Sequence, residues 1–99
     1  MISVTASITS QNTFTSTISP VDNFHSEKAG RLTGSISGTW VGTVHVQRSF
    51  DAGSNWRSVN TYTANAEFSI DDVTDGIIYR IGIPTGSFTS GTCVVLLAK

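Results

Sequence analysis

The sequence predicts an all-β protein: a single-domain antiparallel β-sandwich, jelly-roll-like, of about eight strands over residues 1–99. Three observations carry that expectation. Thr, Val and Ile make up 32 of the 99 residues whereas Leu occurs three times, a balance that suits the pleated strand better than the helix. Apolar and polar residues alternate in short runs, and no helical period is sustained. Turn-forming residues punctuate those runs at the spacing typical of sandwiches and small barrels. A chain of this length can build one core and not two.

Ile2, Val4, Ala6 and Ile8 alternate with polar residues and predict a half-buried first strand. Gln11-Asn12 makes a turn, and Phe14 and Ile18 keep the same parity as far as Pro20, which ends pairing. Residues 21–30 read as a loop and as the best candidate for a contact arm. Leu32, Gly34 and Ile36 face inward on the next strand. Gly38-Thr39 breaks it, and Trp40 opens another strand, in which Trp40, Val44, Val46 and Phe50 share one parity. A return strand covers residues 57–63. There Val59 is out of step with Trp56 and Tyr62, which predicts a bulge near Arg57. Ala64-Asn65 reverses the chain, Phe68 and Ile70 form a short strand, and residues 71–76 make an acidic loop. Ile77, Tyr79, Ile81 and Ile83 alternate up to Pro84, and residues 85–87 turn. Cys93, Val95 and Leu97 then face inward on the last strand, whose apolar neighbours Val94 and Leu96 predict cover on both faces.

The central strand pair is joined by Ser49-Phe50-Asp51-Ala52-Gly53-Ser54-Asn55-Trp56. It has the form Ser-x-Asp-x-Gly-x-x-Trp, the pattern of the Asp-box. Each fixed position has a structural use. Asp51 accepts bonds from backbone N–H groups a residue or two further on, and Ser49 offers a hydroxyl where the turn leaves the strand. Gly53 takes a positive φ without a Cβ penalty. Trp56 lays an indole over the turn as a small satellite core. None of the four needs to touch a substrate, so the motif predicts a tight hairpin rather than an activity.

Composition excludes several function classes. Charged residues are 13% and the net charge is −1, so no basic field exists to hold nucleic acid. Apolar runs fall far short of the ~18 residues that span a bilayer, and the N-terminal residues lack the pattern of a signal peptide. Cys93 is the single cysteine and reads as an inert buried thiol. The Asp-box recurs in sialidases, but four arginines and two glutamates do not furnish that active site. No nucleophile elbow is present, and His45 alternates with Val44 and Val46 as a strand residue facing solvent or an interface. Asp71, Asp75 and Gly76 resemble a calcium loop only faintly. Val73 and Gly82 stand where oxygen ligands belong, so a solvated acidic turn is expected. No cofactor, metal or catalytic residue is expected. A Ser- and Thr-rich surface, 28 such residues in all, with so little charge favours association.

Two segments carry a resemblance. Residues 34–56 hold Trp40-Val-Gly-Thr-Val followed by Gln47-Arg-Ser-Phe-Asp-Ala-Gly-Ser-Asn-Trp56. Residues 76–92 hold Tyr79-Arg-Ile-Gly followed by Thr89-Ser-Gly-Thr92. Together they cover about 40% of the chain and are similar to small proteins encoded in tailed-bacteriophage genomes. The resemblance implies a virion protein, made in the host cytoplasm. Among phage roles the short chain fits a non-enzymatic capsid decoration, or cement, protein. Such a protein binds the major capsid protein on the outer shell as a homo-oligomer, a trimer by the threefold character of shell sites. The alternative is a small tail or fibre domain that recognises a host glycan. Expected contacts lie in the first strand, at Ile2 and Val4, and in the 21–30 loop, at Phe24 and His25.

Overall fold

The computed structural model describes residues 2–21, 30–74 and 76–99. Eight strands form in chain order: β1 (Ser3–Ile8), β2 (Thr13–Phe14), β3 (Arg31–Gly42), β4 (Val44–Ser49), β5 (Arg57–Tyr62), β6 (Ala66–Asp71), β7 (Ile78–Ile83) and β8 (Phe88–Ala98). They make two antiparallel four-stranded sheets: a front sheet in the order β1-β8-β3-β6 and a back sheet in the order β2-β7-β4-β5. That pair of orders is the double Greek key of a jelly roll. The expected all-β sandwich is therefore present, with the expected number of strands.

Register shows how the two sheets arise. β3 pairs with β8 from Thr33↔Ala98 to Gly42↔Phe88, and β4 pairs with β7 from His45↔Gly82 to Ser49↔Ile78. The N–H of Thr43 bonds the carbonyl of Ser87 between the two ladders, so one long ribbon crosses from sheet to sheet. On one flank of it, β6 pairs with β3 and β5 with β4; on the other, β1 pairs with β8 and β2 with β7. The sandwich is thus a four-stranded ribbon folded once across its middle. Its Cα extents of 39 × 26 × 17 Å leave room for two layers and no third.

Inward positions follow the alternation. Ile8, Leu32, Ile36, Val44, Val46, Ile77, Tyr79, Ile81, Ile83, Cys93, Val95 and Leu97 are buried in one core. Gly34 is inward too, because the Phe68 ring opposite fills its place. A Cβ there would fall 2.1 Å from the tip of that ring. Phe68 in turn stacks on Tyr62, with centroids 4.8 Å apart.

Several expectations are corrected. β3 runs unbroken through Gly38-Thr39; the ladder shifts instead at Val41/Gly42, where the ribbon bends. Phe14 does not share the parity of Ile18. Thr15 still bonds Ile81 and the ladder breaks at residues 16–17, so Phe14 lies opposite Gly82 on the outer face while Ile18 bridges Tyr79 inside. Phe50 is 60% exposed, because the hairpin has left the sandwich by then; the Arg48 guanidinium lies 5.0 Å from its ring centroid. The bulge expected near Arg57 is present, at Val59, between Asn60 opposite Val46 and Ser58 opposite Gln47. β8 is covered on one face only. Val94 and Leu96 are half-buried between Ser7 and Ser37 and between Thr5 and Ser35.

Candidate functional site

The four Asp-box residues come together at the end of β4. Ser49 is fully buried. Its hydroxyl donates to Asp51 Oδ1 at 2.7 Å and accepts the N–H groups of Gly53 at 2.9 Å and Asp51 at 3.3 Å. Asp51 Oδ1 also accepts the Asn55 N–H at 2.9 Å, and Oδ2 accepts the Asn55 side-chain amide at 2.8 Å. Those bonds, Asn55 first and Ser49 next, hold the Asp51 carboxyl down at about 2. Ala52 and Gly53 both have positive φ, 59° and 96°. The Trp56 indole lies alongside the turn, 3.7 Å from where a Gly53 Cβ would be. Asn55 is a variable position of the pattern, so nothing in the motif singles it out.

Beside the hairpin, the outer face of the back sheet holds a cluster that sequence reading missed. The Arg80 guanidinium sits between two rings, 3.8 Å from the Phe14 centroid and 4.3 Å from that of Trp56. Arg80 Nε donates to Gln47 Oε1 at 2.9 Å, and Gln47 Nε2 donates to Ser58 Oγ at 3.4 Å. His45 Nδ1 lies 2.8 Å from the same Ser58 oxygen. Burial lowers the His45 pKa, which keeps the ring neutral at pH 7. Outward parity of Arg80 and Gln47 could have put both on one face, but the parity flip of Phe14 could not be read.

At the rim of the sandwich the acidic turn is used structurally, not solvated throughout. Asp72 points inward with its side chain 8% exposed. It accepts the Tyr79 hydroxyl at 2.8 Å and the Thr74 N–H at 2.9 Å, and Arg48 Nη1 lies 3.7 Å away. Burial pushes the Asp72 carboxyl up, but the Thr74 and Tyr79 bonds and the Arg48 charge outweigh it, and its pKa is lowered. Asp71 points away and pairs with Arg31 at 2.8 Å; Asp75 lies outside the described residues. Among the described residues, no group of three His, Cys, Asp or Glu side chains gathers. The Cys93 thiol is buried and pushed up to about 11, which leaves it protonated and a poor nucleophile.

Of the expected contact residues, Phe24 and His25 lie outside the described residues. Val4 faces the core and is half-buried, and Ile2 is 51% exposed at the rim. Around them the outer face of the front sheet carries hydroxyl side chains on β1 and β3, with Arg31, Glu67, Asp71 and Lys99 as its charged residues. Ser3, Thr5 and Ser7 of β1 and Thr33, Ser35 and Ser37 of β3 flank a stripe of Val94, Leu96 and Ala98. A shallow open depression of about 430 Å³ lies on this face, between Thr33, Ser35, Glu67, Leu96 and Lys99.

Comparison with models of known families, with curated proteins and with solved structures finds no match to this chain. The Ser49–Asp51–Asn55 and Arg80–Gln47–Ser58 groups are bonded internally, Arg48 Nε is buried without a hydrogen-bond partner, and the His45–Ser58 pair has no carboxylate bonded to the imidazole among the described residues.

Proposed function

We propose that this chain is a non-enzymatic virion protein that decorates and stabilises the outer shell of a phage head by bridging subunits of the major capsid protein. The observation that carries the reading is the outer face of the front sheet. It is hydroxyl-rich across β1 and β3, has its charge confined to Arg31, Glu67, Asp71 and Lys99, and carries an apolar stripe along β8. Such a face binds by neutral hydrogen bonds and apolar contact. The phage-like segments 34–56 and 76–92 supply the setting. The jelly roll is compatible with the role but does not select it, because lectins share the fold. Each copy that clamps neighbouring subunits stabilises the assembled shell by mass action.

The test strips the protein from particles and adds it back. Decorated particles should rupture at a higher temperature than naked ones. Leu96→Lys should abolish binding while leaving the melting temperature of the free protein unchanged, because Leu96 is only half-buried. Binding should weaken little with salt, since few charges lie on that face.

The Phe14–Arg80–Trp56 stack favours a second reading, a tail or fibre domain that recognises host glycan, since aromatic faces and a guanidinium suit sugars that carry a carboxylate. If particles rupture alike with and without the protein, and it binds cells or glycan arrays in a manner lost in Arg80→Ala, that reading replaces the first.

A further inference from the structure

We propose that β1 pairs antiparallel with β1 of a second copy across a twofold axis, joining the two front sheets into one continuous sheet. The inference is independent of what the assembled protein binds.

Ile2 and Lys99 exchange both bonds, N–H to O at 3.0 Å and 2.8 Å. In an antiparallel ladder such pairs alternate, so Val4, Ala6 and Ile8 bond β8 in the same way. The N–H and C=O groups of Ser3, Thr5 and Ser7 therefore point away from the sheet. Among the described residues, no strand pairs with them.

The other three edges are guarded. β2 has only two residues. β5 carries the Val59 bulge and exposed Arg57. β6 carries Glu67 and the Arg31–Asp71 ion pair. Short length, bulges and charge are the usual devices against edge pairing. β1 has none of them: it is Ser-Val-Thr-Ala-Ser-Ile, six residues in unbroken register.

The partner is a second copy because the edge is complementary to itself. Only outward-pointing residues can exchange bonds, so an odd-numbered residue must face an odd-numbered one. One register uses all three: Ser3 faces Ser7 of the second copy, Thr5 faces its own counterpart, and Ser7 faces Ser3. No charge opposes a like charge. On the core side the same register sets Val4 beside Ala6 and Ile2 beside Ile8 of the other copy, in the close pairs about 4.5 Å apart. It therefore covers Ile2, the half-exposed apolar residue at this edge. The contact is isologous and closes at two copies. A twofold pair thus replaces the threefold arrangement, which rested on shell symmetry alone.

The test uses the purified chain. Light scattering across a concentration series should show a mass rising from 10.5 kDa to twice that value. Thr5→Pro removes an outward N–H at an edge where proline is tolerated, and should leave a folded monomer. Thr5→Lys puts like charges face to face on the axis, and should raise the dimer dissociation constant at least tenfold, less in high salt. Cysteine mapping checks the register. Facing bonded residues lie about 5.5 Å apart at Cα, within disulfide reach. Thr5→Cys should cross-link to itself on mild oxidation. Ser7→Cys should do so only when mixed with Ser3→Cys. A parent that is monomeric at every concentration, or trimeric, overturns the proposal. So does a dimer that survives both Thr5 variants, or Ser7→Cys cross-linking to itself as readily as Thr5→Cys.

Discussion

A buried hydroxyl must bond to protein, and Ser49 does so three times within its own hairpin. Ser49→Ala leaves the Gly53 N–H without its acceptor and should cost about 1–3 kcal/mol in a denaturant melt. Asp51 adds a dependence on pH. Its carboxyl is held at about 2, below the 3.8 it has in the unfolded chain. A depressed carboxyl contributes stability above its unfolded pKa and loses it as the pH falls through the folded value. Asp51→Asn should therefore melt below the parent at pH 6, and the gap should close between about pH 4 and pH 2. An equal gap at both ends of that range would mean that the carboxylate charge is not the source. The sequence showed this site in outline, because Ser49, Asp51, Gly53 and Trp56 stand at fixed spacing. It could not show Asn55, whose contribution depends on the turn already being closed, or the positive φ of Ala52.

In the strands, aromatic cover decides where small residues are required. Gly34 sits opposite Phe68, whose ring is held in place by its stack on Tyr62. Gly34→Ala would put a methyl 2.1 Å from that ring, so the stack must shift, at about 1–3 kcal/mol. Pairing it with Phe68→Leu should recover part of the loss, which chemical denaturation of the single and double variants would reveal. Strand positions themselves were largely legible, because one face of each sheet is buried and alternation reports that directly. Ile77, Tyr79, Ile81 and Ile83 are the clearest instance. Alternation failed where the chain leaves a ladder. The break at residues 16–17 puts Phe14 and Ile18 on opposite faces, the hairpin carries Phe50 into solvent, and β3 passes through Gly38 without a break. Val94 and Leu96 misled for another reason. An apolar residue on an outer face reads as buried, though here it lies only half-covered between serines and threonines. The Arg80 stack was illegible, since it needs side chains from β2, β7 and the hairpin to meet.

Across the whole molecule, the first and last strands are neighbours, and Thr5 bonds Val95 across a separation of 90 positions. The hairpin of β4 and β5, by contrast, closes within a single short turn. That difference sets an order of events. A local hairpin closes in microseconds, whereas joining distant strands must first overcome the entropy of a long loop. Folding of a molecule dominated by such pairings should take milliseconds to seconds, with β1 docking after the rate-limiting barrier. Stopped-flow fluorescence of Trp40 and Trp56 can follow it. Val46→Ala, in the hairpin, should slow refolding. Val4→Ala, in β1, should leave the refolding rate nearly unchanged and speed unfolding instead. The single chain would then open first by release of β1, and pairing of that edge with a second copy would lengthen the lifetime of the folded protein.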